Sequence, residues 1–479
     1  MFSQLLKIIL LLSLPVWGYA EAQEVTKSKV DEISQINDEV LLEPDQAANN
    51  KPYIIRDIRT LPQDATTYLN PACSSQTLIL PENHRALDAE FDKIFFSPWR
   101  QTKPNISKAE YLWHFSSYND NLGFGENQRQ HSPEWLKQLT DLAHLKNYPN
   151  TNRKAITITN TDLRLLPTAK PHFHTANSYP FDTLQNSAIW ANTPLFIAHI
   201  SKDQSWVLAE SPLVEGWIPI EDIAFVDDAF IDKWLTNKYV VITQDQVPLY
   251  GDNQLFRFKT HIGILFPYLS ENETDYNILI ATVDPKTRQA ILEKTKLSKT
   301  VSALKPLTVS QINLAKMINK LLTQAYGWGG LYEDRDCSST LHDLFTPFGL
   351  WLPRNSATQS RIGEIISLEN LTPTVKAQKI VEEAIPYLTL LWKPGHIMLY
   401  LGTYQNKAIM FHNFWSIKTQ NERGEREQTV VGQASITSLQ PGIELKNIDA
   451  EKGNYLNNLK TMNIFIPVDK LQLCKNSDT

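Results

Sequence analysis

Cysteine is scarce in this chain, which has only three, at positions 73, 337 and 474, among 479 residues. The cysteines and histidines are not grouped at the spacing of a zinc site, and we expect neither a metal nor another cofactor. In an exported protein, an odd number of cysteines leaves one free thiol or an intermolecular pair. Cys73 and Cys474 flank the folded region and could form a disulfide, which would leave Cys337 as the reactive thiol.

The chain also lacks an excess of positive charge and a long apolar segment. Its formal net charge of −6 gives no reason to expect a nucleic-acid partner. The N-terminal apolar run, residues 8–16, follows Lys7 and is far shorter than the ~20 residues of a membrane-spanning helix. Gly18 and Ala20 then supply the small residues of a cleavage site. We therefore expect a signal peptide at residues 1–20, export to the periplasm or the medium, and no membrane span after cleavage.

Glycine is rarer than proline, at 17 against 27, and the chain has 12 tryptophans, which favours short strands, turns and aromatic-lined grooves over long helices. Residues 21–75 are polar and predict a linker or loosely packed arm. Residues 76–150 predict a small helical domain. Short β-rich runs at 151–232 and again at 233–305 predict two small barrels. The helix-then-strand order of 306–479 predicts an α+β domain, so the expected fold is multidomain.

Cys337 has the surroundings of a nucleophile. It follows the Gly-rich stretch 327–330 and begins an amphipathic helix, with Asp336 in the N-cap position. The positive end of the helix dipole would favour its thiolate. His396 and His412 follow in two segments that predict the strands of a hairpin. A nucleophile, a base and a group that orients the base, in that chain order, are the parts of a papain-like thiol hydrolase.

The geometry of the two histidines depends on the turn between their strands. A three-residue loop at 403–405 would place His396 directly opposite His412, on one face of the hairpin. A two-residue turn at 405–406 would instead place His412 opposite residue 399, on the other face. The sequence leaves both turns possible.

Three other histidines are not expected to take part in catalysis. His342 lies one helical turn after Cys337 and is expected to be structural, because its side chain would point away from the nucleophile. His172 and His174 share one face of a short segment that predicts a polar loop or a strand edge rather than a metal site.

Several motifs resemble the NlpC/P60 cysteine peptidases, which hydrolyse peptidoglycan stem peptides. In the C-terminal part these are Tyr-Gly-Trp-Gly-Gly at 326–330, Asp-Cys-Ser-Ser at 336–339, Gly-Leu-Trp-Leu-Pro-Arg-Asn-Ser at 349–356, and Pro-Gly-His at 394–396 followed by His412. The upstream part resembles the multidomain form, which has an N-terminal stabilising domain and two bacterial SH3-type (SH3b) barrels. Its motifs are Arg-Leu-Leu-Pro-Thr at 164–168, Tyr-Pro-Phe-Asp at 179–182 and Gly-Trp at 216–217.

The resemblance implies an endopeptidase that cuts between γ-D-Glu and the L-diamino acid, in stem peptides or muropeptides whose L-Ala amine is free. It implies that Asp336 and Ser338 hold the substrate ammonium or backbone, that Tyr326 lines the pocket and that Ser356 contacts substrate. Each also has a simpler interpretation. Asp336 could be only an N-cap and Ser338 only an early-helix residue, while Tyr326 could be a core residue and Ser356 a cap. The family often has Gly where this chain has Ser339, a small change that should not block chemistry. The first barrel would close one end of the groove and exclude glycan-attached substrates.

The residues suggest the same chemistry without the family. A thiolate would attack a carbonyl, backbone N–H groups at the helix start, including that of Cys337, would stabilise the oxyanion, and His396 would protonate the leaving amine. Water would hydrolyse the thioester while His412 orients the imidazole of His396.

Two other functions stay open. One is an N-acetylmuramoyl-L-alanine amidase or acyltransferase on the same scaffold, and the other is a non-catalytic protein that binds the cell wall.

Overall fold

The structure is a computed structural model that describes residues 54–252 and 254–472. The expected signal peptide, most of the polar arm and Cys474 lie outside these residues. The described chain forms a helical N-terminal region, two SH3-like β domains and an α+β domain, which confirms the predicted multidomain fold. In this part of the chain, no helix is both long enough and apolar enough to cross a membrane.

The helices of the N-terminal region begin where the local sequence supplies caps. Ser107 and Glu110 form a capping box, in which each side chain accepts from the other residue's main-chain N–H. Ser132 caps the following helix, which has Pro133 in its first position. The α-helices described here are α1 (Arg56–Thr60), α2 (Pro81–Phe95), α3 (Lys108–Ser116) and α4 (Pro133–Ala143).

The first barrel is a seven-stranded antiparallel sheet in the order β3-β2-β6-β5-β4-β1-β7. Its apolar side chains, among them Leu163, Leu195 and Val207, are fully buried and form its core. The strands are β1 (Arg153–Thr157), β2 (Thr161–Arg164), β3 (Gln185–Ile189), β4 (Pro194–Ile200), β5 (Trp206–Glu210), β6 (Glu215–Pro219) and β7 (Ile223–Phe225).

A short helix, α5 (Asp228–Trp234), leads into the second barrel. That barrel has a five-stranded sheet in the order β13-β12-β11-β8-β14 and a separate pair, β9 with β10. Its strands are β8 (Tyr239–Ile242), β9 (Pro248–Tyr250), β10 (Phe256–Lys259), β11 (Leu265–Glu271), β12 (Asp275–Val283), β13 (Ala290–Ser298) and β14 (Ser302–Leu304).

The α+β domain has a six-stranded antiparallel sheet in the order β15-β20-β16-β17-β18-β19, with helix α7 packed on β17 and β18. Its helices are α6 (Gln311–Leu321), α7 (Cys337–Phe345), α8 (Ser356–Gln359), α9 (Pro373–Glu383) and α10 (Tyr455–Asn458). Its strands are β15 (Glu364–Ser367), β16 (Thr389–Lys393), β17 (His396–Tyr404), β18 (Lys407–Gln420), β19 (Arg426–Ser438) and β20 (Thr461–Ile464).

The segment 54–75, predicted to be part of a loosely packed arm, packs instead against the α+β domain. Ile55 and Ala65 are fully buried. The Gln63 side chain donates to the carbonyl of Ile436 and accepts from its N–H, both at 2.9 Å, so it covers part of the exposed edge of β19. The prediction was wrong for these residues because a few well-spaced apolar side chains in a polar segment suffice to dock it on an existing core.

The first barrel lies close against the Gly-rich loop that precedes the nucleophile. Gly329 and Gly330 both have positive φ, at 60° and 92°. A Cβ on Gly330 would lie 2.8 Å from the main-chain nitrogen of Ala188 in β3, and one on Gly329 would lie 2.8 Å from the carbonyl oxygen of Gln185. Glycine is therefore required here for two reasons, the backbone conformation and the close approach of the barrel.

Candidate active site

Cys337 is the first residue of α7 and Asp336 is its N-cap, as the sequence predicts. The Asp336 carboxylate accepts from the Ser339 N–H at 2.9 Å, and Ser339 Oγ accepts from the Asp336 N–H at 3.0 Å. Ser339, which stands where Gly is common in the resembled family, thus completes a capping box. The main-chain N–H groups of Ser338 and Ile397 lie against the thiol. The start of α7 and the start of β17 therefore each place a donor beside the sulfur.

The surroundings of the Cys337 thiol nevertheless oppose its ionisation. Burial, with the nearby charge of Asp336, raises its pKa to about 12. The expected stabilisation of a thiolate by the helix dipole is therefore outweighed by desolvation and a neighbouring carboxylate. Burial also lowers the pKa of His396 well below its ordinary value, and His412 and Lys393 lower it further. These surroundings favour the neutral form of both the thiol and the imidazole.

The turn between the two histidine strands is the two-residue one. Strand β17 ends at Tyr404 and β18 begins at Lys407, and residues 405 and 406 both have positive φ, at 48° and 60°. Two successive residues with positive φ are typical of a tight hairpin turn, whose twist matches that of the strands. The three-residue loop that would have placed the histidines directly opposite each other is not formed.

A β-bulge brings the histidines back to the same face. The register shifts between Tyr400 and Gly402, so that Leu399 pairs with Phe411. The extra residue in β17 reverses the alternation of side chains beyond it. His412 consequently lies diagonally across from His396 and shares its face, although the turn alone would have separated them.

The two imidazoles form a hydrogen bond, with His396 Nε2 2.8 Å from His412 Nδ1. His412 is fully buried and stacks on Phe414, with ring centroids 4.2 Å apart and 3° between the planes. Its other nitrogen, Nε2, lies 2.9 Å from Thr437 Oγ1. Burial, aided by the charge of Lys393, lowers the pKa of His412 to about 3. The second imidazole is thus a neutral, firmly held partner of the first.

Asp336 is paired with an arginine that sequence reasoning missed. Arg354 Nη2 lies 2.7 Å from Asp336 Oδ2 and Arg354 Nη1 lies 3.1 Å from Oδ1. Burial alone would raise the pKa of Asp336, but Arg354 and the Ser339 N–H outweigh it and hold the pKa below its ordinary value. The Ser338 hydroxyl donates to Asp336 Oδ1 at 3.2 Å and accepts from Arg354 Nη1 at 3.1 Å. A signal existed, because a buried acidic cap needs a cation and Arg354 stands in one of the quoted motifs.

Two tyrosines border the sulfur. Burial raises the pKa of Tyr326 well above its ordinary value, and the nearby Cys337 and Asp336 raise it further. The sequence did not single out Tyr455. Burial and the nearby Cys337 raise the pKa of Tyr455, and its ring centroid lies 5.5 Å from that of His396. Ser356 begins α8, which packs on β17.

Aromatic side chains from both the first barrel and the α+β domain form one rim of the site. Tyr179, in the loop between β2 and β3, has its ring centroid 6.0 Å from that of Trp415 in β18. The ring of Trp415 is in turn 6.1 Å from that of Tyr326. Tyr332 has 72% of its surface exposed and lies beside Tyr179. Through Trp415, the barrel therefore reaches Tyr326, which lies near Cys337.

The second barrel contacts the residue that precedes the Asp336–Cys337 pair. Asp245 accepts from Arg335 Nη1 at 2.6 Å and from Nη2 at 3.0 Å. Arg335 Nε donates to Asp343 of α7 at 2.6 Å. The Arg335 carbonyl accepts from the side chain of Asn413, next to His412 in sequence, at 2.8 Å. One buried arginine thus joins the second barrel to both catalytic elements.

The remaining histidines lie apart from this cluster. His342 is buried, with Nδ1 2.5 Å from the Leu352 carbonyl oxygen, which agrees with a structural role. His172 lies in a loop, as the sequence predicts, and is fully buried beside Tyr118, with ring centroids 4.7 Å apart. Burial lowers its pKa to about 4. Cys73 is buried as well, whereas its expected partner Cys474 lies outside the described residues.

Four family models match successive parts of the chain. The NlpC/P60 stabilising domain matches residues 31–148, an SH3 domain of the SH3b1 type matches 171–219, one of the SH3b2 type matches 227–273, and the NlpC/P60 family itself matches 323–430. The C-terminal domain of this chain belongs to the NlpC/P60 family. The domains that precede it, a stabilising domain and two SH3b domains, are those of the multidomain form.

Two relatives of this NlpC/P60 protein are informative. A solved NlpC/P60 endopeptidase from Photobacterium damselae subsp. piscicida is 26% identical, with a TM-score of 0.76 over 87% of this chain and 99% of that one. A γ-D-glutamyl-L-lysine dipeptidyl-peptidase from Bacillus cereus is 28% identical over 163 residues. That match covers 33% of this chain and only 46% of the relative, so the chain spans just under half the length of that enzyme.

Proposed function

We propose that this protein is an endopeptidase that cleaves the bond between γ-D-Glu and the L-diamino acid of peptidoglycan stem peptides whose L-Ala amine is free. The observation that carries the proposal is the hydrogen bond between His396 and His412 next to Cys337, where the N–H of Ile397, the residue after His396, lies against the thiol. The name of the Bacillus cereus relative supports the choice of bond.

The mechanism begins from a neutral Cys337 thiol and a neutral His396 imidazole. His396 removes the thiol proton of Cys337 as the sulfur attacks the γ-carbonyl carbon, and a tetrahedral oxyanion forms. Main-chain N–H groups at the start of α7 stabilise this oxyanion. His396 then gives its proton to the leaving amine of the diamino acid, and the C–N bond breaks. A water molecule, deprotonated by the same imidazole, attacks the thioester and releases the L-Ala-γ-D-Glu dipeptide and the thiol.

The free amine of the substrate is proposed to bind beside Asp336. Its Oδ2 atom accepts from Arg354 at 2.7 Å, and a carboxylate oxygen has a second lone pair that can accept from an ammonium. Tyr326, close to both Asp336 and Cys337, is placed to line this pocket. The Ser338 hydroxyl is engaged with Asp336 and Arg354, so its role is to hold the carboxylate. Ser356 keeps its expected contact with substrate as part of this proposal.

Tyr179 is proposed to close one end of the groove. It projects from the first barrel to Trp415 and Tyr332 at the rim of the site. A wall at the L-Ala end favours a free stem peptide over one still joined to glycan. Replacing Tyr179 with Ala should therefore raise activity on N-acetylmuramoyl-tripeptide relative to the free tripeptide, measured as a ratio of kcat/KM values.

Export is a further part of the proposal. The apolar run at residues 8–16 and the small residues at 18 and 20 support removal of a signal peptide and action in the periplasm or the medium. N-terminal sequencing of the mature protein recovered from its own cells would test this, because a start near residue 21 is expected. An intact Met1 on the extracellular or periplasmic protein would contradict it.

The deciding experiment is mass spectrometry of products from L-Ala-γ-D-Glu-diaminopimelate, its N-acetylated twin and the N-acetylmuramoyl tripeptide. Wild type should release L-Ala-γ-D-Glu from the first peptide alone, and Cys337→Ala should release nothing. Equal cleavage of the tripeptide and its N-acetylated twin would support the peptidase activity and contradict the proposed binding of the free amine. Release of intact tripeptide from the muramoyl substrate would favour the amidase, and no cleavage of any substrate would favour a wall-binding protein.

A further inference from the structure

Thr437 contacts His412 at Nε2, the ring nitrogen that does not meet His396. It lies in β19 two residues after Ser435, and Ser435 pairs with His412 across the sheet. The side chains of Thr437 and His412 therefore share a face of the sheet. Thr437 is fully buried. Its Oγ1 lies 2.9 Å from His412 Nε2 and 2.9 Å from the carbonyl oxygen of Ser438.

The proton positions follow from counting donors. A hydroxyl has one hydrogen to donate, and a carbonyl oxygen can only accept. The Thr437 hydrogen therefore goes to Ser438, and Oγ1 must accept from His412 Nε2–H. A neutral His412 with its hydrogen on Nε2 has a bare Nδ1, which accepts from His396 Nε2–H. A neutral His396 with its hydrogen on Nε2 has a free lone pair on Nδ1.

We propose that Thr437 is a positioning residue that selects the tautomers of both imidazoles and so leaves His396 Nδ1 as the base. The inference rests on the proposed thiol-peptidase function. With the other tautomer, His412 Nδ1–H would donate to His396 Nε2, and the hydrogen of His396 would occupy Nδ1. His396 would then be unable to take the thiol proton. Thr437 itself touches neither substrate nor sulfur in this scheme.

The acceptor for the Thr437 hydrogen is itself held in place. The N–H and the hydroxyl of Ser438 both donate to Asp57 Oδ2, at 2.8 and 2.7 Å. Asp57 lies in α1, on the segment that covers the edge of β19, and is 8% exposed. A free edge strand would leave this stretch of backbone to water. The packed N-terminal segment therefore holds Ser438, whose carbonyl accepts the Thr437 hydrogen.

The test compares Thr437→Val, which keeps the shape and removes the hydroxyl, with Thr437→Ser, which keeps the hydroxyl. Thr429→Val is the matched control, because Thr429 lies in the same strand and pairs with Ile417, away from the histidines. In the tripeptide assay, Thr437→Val should lower kcat ~10- to 100-fold with little change in KM, since only the base is affected. Thr437→Ser should recover most of kcat, and Thr429→Val should resemble wild type.

Nitrogen-15 NMR of the imidazoles provides a measurement that needs no activity. Wild type and Thr437→Ser should show His412 and His396 each protonated at Nε2 near neutral pH, and Thr437→Val should show His412 with the other tautomer or a mixture. Unchanged tautomers in Thr437→Val, or equal losses of kcat in the Val and Ser variants, would overturn the inference. If wild type cleaves no stem peptide, the proposed function fails, while the NMR result still decides the role of Thr437.

Discussion

Arg354 and Asp336 form a two-point ion pair directly before the nucleophile, with Nη2 2.7 Å from Oδ2 and Nη1 3.1 Å from Oδ1. Both residues are buried, at 5% and 7% exposure. Asp336 is also the N-cap of α7. A single carboxylate therefore starts the helix that carries Cys337 and depends on an arginine 18 residues further along the chain.

Replacing Arg354 with Met should destabilise the protein by about 3 kcal/mol, because it leaves the Asp336 carboxylate buried without its cation. The midpoint of urea unfolding at pH 7 measures this loss. Adding Asp336→Asn to Arg354→Met should restore part of the stability, since the unpaired charge is then gone. Arg361→Met, at an exposed position, is the matched control. An Arg354→Met protein as stable as the control would contradict the pairing.

Alkylation of Cys337 by iodoacetamide should be slow at pH 7 without substrate. The pKa of the thiol is raised to about 12, so the thiolate is scarce at neutral pH and the rate should rise about tenfold per unit between pH 7 and 10. Mass spectrometry of the labelled peptide gives the rate, and Cys337→Ala gives the background. A rate that is already constant from pH 6 upward would show a preformed thiolate and contradict the neutral pair.

Replacing Asp245 with Asn should cost about 2 kcal/mol of stability and lower kcat, although Asp245 belongs to the second barrel. The change removes the charge that neutralises the buried guanidinium of Arg335, whose carbonyl holds Asn413 beside His412. Thermal unfolding and steady-state kinetics on the tripeptide measure both effects. Asp252→Asn is the control, because that residue is exposed on the same barrel. Equal behaviour of the two variants would show that the barrel does not support the site.

Replacing Gly402 with Ala should destabilise the hairpin by about 1–2 kcal/mol, because its φ of 123° is unfavourable for a residue with a Cβ. The nearest atom to such a Cβ is 3.6 Å away, so the cost comes from the backbone and not from a clash. Since Gly402 ends the bulge that returns His412 to the face of His396, kcat should fall as well. Urea unfolding and tripeptide kinetics measure these effects. Wild-type stability and kcat would show that the bulge does not need glycine.

The parts of the site that follow from neighbours in sequence were predictable. Asp336 is an N-cap and Cys337 a first helical residue because capping involves groups within one turn. The histidine strands were also recognisable from their apolar runs. Their relative register was not, because one extra residue in β17 changes the face of every side chain beyond it. The sequence allowed a two-residue or a three-residue turn. The structure has the two-residue turn together with a β-bulge, a combination that was not considered.

The sequence by itself determined the three kinds of domain, the order of Cys337, His396 and His412, and the helix start that presents the sulfur. These depend on composition, periodicity and contacts between near neighbours. The tertiary structure alone decided that Arg354 neutralises Asp336, that Asp245 holds Arg335 and that Thr437 meets His412. Each of these contacts joins residues from different elements, and its geometry exists only after the sheets and barrels have packed. Burial, which sets the protonation of the thiol and both imidazoles, likewise depends on the whole fold.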